Sequence, residues 1–442
     1  MTSLREVLAT AKRIVTPTTR EDSSMHRSAD DMIARVEAAS SRFSEVRGVH
    51  LGGSFAKGTW LPGDVDLDIF VRMAADVDGP RFEKVGLVVG EEAVSGYPHG
   101  KKYAQHPYTE ANVKGVKVNI VPCYDVKPGE WKSAADRSLY HVEFVNGHMS
   151  GFEKHNVRLL KRFMKTVGVY GAEIENEGFS GYATEVLVHS HGSFERVLRH
   201  FAHLRVSERS PFTLRDPVDP ERELATAISK EKVARMALAS RAFLRSPRAD
   251  YFSKVRTKVR RKLSGRVIAI RFEHPPLSED TLWGELKKST RQVVKHVKSQ
   301  GFAVSRAAPV SNDVDRSAIL LLPEVDELTP TVERVGPSAD LAQEAERFIA
   351  KNAEKSELVW VGDDGKVHVL QRRKFTSLEC LLRELLAESI DKVGASKDVA
   401  RSIRKTGRVL SGEKIAREAA RESWFCEGIE AIVSDSIGTN PS

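Results

Sequence analysis

Apolar positions along the chain first recur at a helical spacing and then switch to alternation. Leu4, Val7, Leu8, Ala11, Ile14 and Val15 form one stripe, and Met32, Ile33, Val36 and Phe43 suggest a second, so two helices are predicted near the start. Strands are predicted at about 48–52 and 65–71. Val116-Lys117-Val118-Asn119-Ile120-Val121 alternates as a third, with Lys117 and Asn119 on one face and Val116, Val118 and Ile120 on the other. These elements predict a compact α/β head over residues 1–150.

From Gly151 the pattern turns helical. Val157, Leu160 and Met164 make an apolar stripe, and Arg158, Lys161, Arg162 and Lys165 make a basic one; further helices are predicted over 182–204 and 222–245. Within the charge run at about 245–266, Val255, Val259 and Leu263 recur every four residues among Lys254, Arg256, Lys258, Arg260, Arg261, Lys262 and Arg266. That spacing predicts an amphipathic helix with a basic outer face, closing a helical body over 151–265.

Residues 266–370 read as a separate small α+β unit, with strands at 267–270, 318–322 and 358–361 and a helix over about 280–299 that stops at Gly301. Asp364-Gly365 between alternating flanks signals a hairpin. Thr376 and Glu379 have capping-box spacing, and a helical segment, 371–442, is expected to return to the body, with a disordered tail from Ser434. The expected fold class is α+β multidomain: α/β head, helical neck or body, and small α+β tail domain.

Composition narrows the partners. Lys and Arg number 69 against 61 acidic residues, a net charge of +8, which suits a polyanion. The three cysteines, Cys123, Cys380 and Cys426, show neither zinc spacing nor a disulfide framework, so a cytoplasmic, reducing setting is expected. No signal peptide and no apolar run long enough to span a bilayer is read, so no membrane partner is expected.

The chemistry concentrates between Leu51 and Pro80. Gly53-Ser54 makes a turn whose free N–H groups can approach a phosphate. Twelve residues on, Asp66 and Asp68 point the same way from one predicted strand while Val65, Leu67 and Ile69 point to the core. Two carboxylates on one face repel unless a cation lies between them, and Mg²⁺ binds one or two carboxylates together with substrate phosphates. An Asp-x-Asp alone is usually a solvated face and a Gly-Gly-Ser alone usually a turn. Together, at this spacing, they are the equipment of phosphoryl or nucleotidyl transfer.

The stretch Gly53-Ser54-Phe55-Ala56-Lys57-Gly58-Thr59-Trp60-Leu61-Pro62-Gly63-Asp64-Val65-Asp66-Leu67-Asp68 closely resembles the signature of the archaeal (class I) CCA-adding tRNA nucleotidyltransferases, members of the DNA polymerase beta-like nucleotidyltransferase superfamily. Further matches are Val121-Pro122-Cys123-Tyr124, Lys132-Ser133-Ala134-Ala135-Asp136-Arg137 and Arg158-Leu159-Leu160-Lys161. Tyr170-Gly171-Ala172-Glu173, Gly178-Phe179-Ser180-Gly181-Tyr182, Asp216-Pro217-Val218-Asp219 and Arg334-Val335-Gly336-Pro337 extend the resemblance over nearly the whole chain.

The resemblance implies addition of CMP, CMP and then AMP from CTP and ATP to tRNA 3′ ends, Mg²⁺ dependence and a homodimer. It implies that Asp66 and Asp68 are catalytic and hold the metal, and that Ser54, Lys57, His141, Lys161, Tyr170 and Arg222 bind the nucleotide. It also implies that the 266–370 unit binds the tRNA acceptor arm. Read without it, Lys57 is an ordinary surface lysine, His141 a structural histidine and Arg222 a helix-cap ion pair. The chain departs from the family at Asn119, where a third carboxylate is expected. An amide oxygen can ligate Mg²⁺ but carries no charge and cannot act as a base. Two other readings therefore stay open: a weakened relative that binds tRNA without extending it, and a nucleotidyltransferase making a small oligonucleotide signal. The long C-terminal half argues against the second.

Overall fold

Alternation in the head resolves into a five-stranded mixed sheet. In chain order its strands are β1 (Val46–Leu51), β2 (Asp66–Ala74), β3 (His99–Tyr103), β4 (Pro107–Val113) and β5 (Val116–Asp125), arranged β1-β2-β5-β4-β3. Only β2 and β5 run parallel, joined through a long connection that includes the helix Gly79–Ala93. Leu67, Ile69, Val118 and Ile120 are fully buried on one sheet face, which frees Asp66, Asp68, Lys117 and Asn119 for the other. The strands β3 and β4 and the helix Gly79–Ala93 are not among the elements predicted from the sequence.

The computed structural model describes residues 3–103, 105–205, 212–253 and 259–434. They form two units, divided between Thr257 and Lys258. The first unit holds two hydrophobic cores. One lies under the head sheet and takes Met25, Ala29, Met32 and Val36 from the helix Thr19–Ser40. The other is helical and takes Val7, Ala11 and Val15 from the first helix, Leu4–Val15, so that helix belongs to the body's core although its sequence position groups it with the head.

The helical stretches of the body are more broken than their periodicity suggests. The expected helix over 182–204 is two helices, Gly181–His191 and Phe194–His203, separated at Gly192, whose φ of 81° ends the first. The expected helix over 222–245 opens as a 3-10 turn, Leu224–Ala227, before the helix Lys230–Arg245, which Ser229 caps. The expected basic amphipathic helix is not formed in the described part of 245–266: Ala249–Phe252 is a 3-10 turn and Arg261–Ser264 a single helical turn. Burial of both Tyr251 and Phe252, with the Tyr251 ring stacked 5.4 Å from Phe163, favours a turn, because successive residues on a helix diverge by about 100°. Residues 254–258 of that run lie outside the described residues.

The second unit contains two antiparallel sheets. β6 (Ile268–Glu273), β7 (Val304–Ser311), β8 (Arg316–Pro323) and, much later, β12 (Arg408–Leu410) order as β12-β6-β8-β7; β9 (Thr331–Ser338), β10 (Ser356–Val361) and β11 (Lys366–Arg372) order as β10-β11-β9. The helix Glu279–Ser299 ends before Gly301, at φ 96°, and Asp364-Gly365 makes the turn between β10 and β11. Residues 378–433 supply much of this unit's own cores, through Leu381, Leu382, Val399, Ile403, Phe425 and Ile429. The capping box expected at Thr376 is not formed: the helix Leu378–Glu384 starts after Ser377, and the Glu379 carboxylate turns to Arg383 and Ser411. Ser434 pairs with Val259, and the rest of the expected disordered tail lies outside the described residues. Among the described residues no helix is long and apolar enough to cross a membrane.

Candidate active site

The register of two parallel strands builds one end of the site. β2 and β5 set Asp66 beside Lys117 and Asp68 beside Asn119. The Asn119 amide Nδ2 donates to Asp68 Oδ1 at 2.9 Å, while its own buried Oδ1 has no hydrogen-bond partner. Asp68 also presses against the turn that follows β1. Gly53 has φ 64°, and a Cβ built there would stand 1.9 Å from Asp68 Oδ2, so this position takes glycine for both reasons. Asp66 keeps a side chain 47% exposed, with Lys117 Nζ 4.0 Å from its Oδ2. Burial and the neighbouring Asp68 and Asp64 push its carboxyl above the usual range, against the pull of Lys117.

Asp136 fixes where β5 ends. Its carboxylate accepts hydrogen bonds from the Tyr124, Lys132 and Ser133 backbone N–H groups and from the Ser133 hydroxyl, which explains the Lys132–Arg137 motif as a structural tie.

The other end of the site is built by two helices. Three members of the basic stripe of Gly151–Thr166 dock on the 53–64 loop, Arg158 donating to the Gly58 carbonyl at 2.6 Å and Lys165 pairing with Asp64 at 2.5 Å, while Arg162 donates to the Phe252 carbonyl at 2.9 Å. Lys161, 3% exposed, reaches the Glu185 carboxylate at 3.1 Å and the Thr59 hydroxyl at 3.0 Å. Lys57 donates to the other Glu185 oxygen at 2.6 Å, and Thr59 donates to Glu185 at 2.5 Å. Burial alone raises the Glu185 carboxyl; the two ammonium groups, with hydrogen bonds from Lys57 and Thr59, reverse this and hold it down at about 2.

Both ends open into one cleft of about 360 Å³. Ser54, Lys57, Asp66, Asp68, Lys161 and Tyr170 all line it, together with Lys165 and Glu185. Six of the eight residues singled out from the sequence therefore meet there. Tyr170 lies with its ring 4.8 Å from Lys165 Nζ, and burial pushes its hydroxyl pKa up.

His141 and Arg222 do not line that cleft. They meet each other instead at Asp216, a fully buried carboxylate on which His141 Nε2 lies at 3.2 Å and Arg222 Nη1 at 3.3 Å. Tyr182 donates to the same carboxylate at 2.9 Å and stacks on the His141 ring at 3.6 Å. Lys57 Nζ sits 5.5 Å from the Tyr182 ring, so this second cluster adjoins the first. Burial lowers the His141 pKa against the pull of Asp216, and Asp216 is held at about 2 by its donors against burial.

Glu185, Asp216 and Lys165 are absent from the sequence-predicted site residues. A signal existed for Glu185: it stands alone in Ala183-Thr184-Glu185-Val186-Leu187-Val188, and a lone carboxylate in an apolar run has to find a buried cation.

Three family models match the chain in succession. They describe a nucleotidyltransferase domain over residues 35–141, the second domain of tRNA nucleotidyltransferase over 155–253, and the C-terminal domain of CCA-adding enzyme over 264–412. A CCA-adding enzyme of Pyrobaculum islandicum is 34% identical over 402 residues, which cover 88% of this chain and 95% of that relative. One from Methanopyrus kandleri is 33% identical over 468 residues, covering 95% of each. A third, from Saccharolobus shibatae, is 34% identical over 345 residues, 75% of this chain and 82% of the relative.

Proposed function

This chain belongs to the CCA-adding enzymes, a family of tRNA nucleotidyltransferases, and from that premise we propose how its cleft works. Its substrates are CTP, ATP and a tRNA 3′ end, and it transfers CMP, CMP and then AMP without a nucleic-acid template. In each step the tRNA 3′-oxygen bonds to the α-phosphorus, the bond from that phosphorus to the β-phosphate oxygen breaks, pyrophosphate leaves with the electron pair, and the hydroxyl proton passes to solvent. The observation that carries the reading is the meeting of Asp66, Asp68 and the Gly53-Ser54 turn with Lys57, Lys161 and Tyr170 in a single cleft.

The donor set at the strand end fits Mg²⁺. Asp66 and Asp68 share a face and the buried Asn119 oxygen beside them lacks a partner, although among the described residues no group of three or more His, Cys, Asp or Glu could hold a metal ion by itself. Mg²⁺ suits an open set of this kind because it takes one or two carboxylates and fills its shell with water and phosphate oxygens. When bound by Asp66 and Asp68 it would neutralise phosphate charge and acidify the attacking hydroxyl.

The chain's own groups do the rest. Lys57 and Lys161 offer two ammonium groups to the β- and γ-phosphates, and the Ser54 hydroxyl and backbone N–H add neutral donors. Tyr170 closes the cleft beside Lys165. Arg222, 40% exposed at its side chain and steadied by Asp216, presents a planar fork to the base, with neutral His141 alongside. The second unit, matched as a CCA-adding C-terminal domain, holds the tRNA acceptor arm by shape and phosphate contacts, as suits A-form RNA. The active species is a homodimer.

Labelled CTP, ATP, UTP and GTP, supplied singly and together to tRNA lacking its 3′ CCA, test the reading. CTP alone should add two residues and CTP with ATP three, with UTP and GTP excluded. Binding of tRNA without incorporation would instead favour the non-extending relative suggested by Asn119.

A further inference from the structure

The buried triad of Lys57, Glu185 and Lys161 has a charge balance that the reaction as described does not use. Two ammonium groups share one carboxylate, so the trio presents a single net positive charge to the cleft. The Glu185 side chain is fully buried, and each of its oxygens is committed, one to Lys57 and one to Lys161 and Thr59. The lysines come from different elements: Lys57 follows the short helix Gly53–Ala56 of the head, and Lys161 lies on the helix Gly151–Thr166 of the body. Glu185 is the group that holds both at a common depth.

We propose that Glu185 is a positioning residue that fixes the two phosphate-binding lysines and, by cancelling half their charge, keeps the pyrophosphate product from binding too tightly to leave. The inference rests on the reading of this cleft as the triphosphate site. A pair of uncompensated ammonium groups in a partly desolvated cleft would hold a polyanion far more strongly than a pair that shares a carboxylate. Strong holding helps substrate and product alike, so it lowers KM without raising the rate, and it slows a step that ends in pyrophosphate release. Glu185 does not touch the reacting atoms; it acts through Lys57 and Lys161.

The test compares Glu185→Gln and Glu185→Asp with the wild-type enzyme in CMP addition, with inorganic pyrophosphate as the probe. Wild type should be inhibited by pyrophosphate in competition with CTP. In Glu185→Gln the inhibition constant should fall by about tenfold, the CTP KM should fall with it, and kcat should drop. Glu185→Asp keeps the charge but is one methylene too short to reach both lysines. It should raise the CTP KM without tightening pyrophosphate. A merely structural carboxylate would give the reverse in Glu185→Gln: weaker CTP and weaker pyrophosphate together.

A folded Glu185→Gln whose pyrophosphate inhibition is unchanged or weaker overturns the inference while leaving the cleft assignment standing. Wild-type enzyme that pyrophosphate does not inhibit competitively overturns both. If Glu185→Gln does not fold, Glu185→Asp decides: wild-type CTP KM and pyrophosphate inhibition in that variant overturn the inference.

Discussion

The two ends of the cleft solve opposite electrostatic problems. At the lysine end, Glu185 is enclosed and its carboxyl is depressed to about 2, so the buried carboxylate is already answered by protein cations with one positive charge left over. At the strand end, Asp66 is half-exposed, its carboxyl is raised, and the Asn119 oxygen has no partner. The difference teaches which part of the chemistry the fold supplies by itself. On the proposed reading, the Lys57 and Lys161 ammonium groups are pre-organised by Glu185 and need no reorganisation when nucleotide arrives. On the same reading, a cation from solution would complete the carboxylate face.

Substitutions can break this contrast from either side. The largest expected effect is Asp68→Asn, which should lower CMP incorporation by more than about a thousandfold while tRNA affinity, read by gel shift, stays within about twofold. Near-normal incorporation in saturating Mg²⁺ would remove Asp68 from the metal assignment.

Next comes Lys161→Met at the opposite end. It should raise the CTP KM by about ten- to a hundredfold and cost about 2–3 kcal/mol of stability, because Glu185 loses one of its two cations in a buried place. Steady-state kinetics and urea unfolding read the two effects separately.

Acid unfolding sharpens the comparison because its two ends carry opposite signs. Glu185 and Asp216 titrate at about 2 in the fold, against ordinary values of 4.5 and 3.8. The unfolded chain therefore takes up these protons first, so their stabilisation is complete above about pH 5 and is lost as pH falls toward 2. Asp66 is shifted upward, so ionising it costs the metal-free fold stability as pH rises through its raised pKa. Urea midpoints measured across this range should flatten in Glu185→Gln, and Asp66→Asn should gain stability near neutral pH without metal.

The smallest effect is expected for Asn119→Asp. A carboxylate placed where Nδ2 now donates to Asp68 at 2.9 Å adds repulsion in the metal-free protein and charge for the cation in the loaded one. The Mg²⁺ concentration for half-maximal single-turnover CMP addition should fall and the rate should rise by up to about tenfold, or about 1.4 kcal/mol. An unchanged midpoint and rate would place Asn119 outside the metal's surroundings.

Legibility in the sequence followed the range of the interactions. Asp66, Asp68 and Asn119 can be placed because strand alternation fixes their face within a few residues, and Ser54 because it sits in the glycine turn, whereas Lys57 reads alone as an ordinary surface lysine and is singled out only by the family resemblance. Lys161 was visible on a basic stripe, though the stripe's role was not: its docking on the Gly58 carbonyl and on Asp64 joins residues about a hundred positions apart. Glu185 and Asp216 were missed as site residues for that reason, since each is defined by partners from distant segments. The broken helices at Gly192 and around Tyr251 show the same limit, because tertiary burial there overrides a local period.

The most direct test of the contrast is a Mn²⁺ titration followed by electron paramagnetic resonance, with a non-hydrolysable CTP analogue bound to wild type, Asp68→Asn and Glu185→Gln. The account predicts that Asp68→Asn loses Mn²⁺ affinity by about a hundredfold or more while Glu185→Gln keeps it within about threefold. Equal Mn²⁺ affinity in wild type and Asp68→Asn would contradict it.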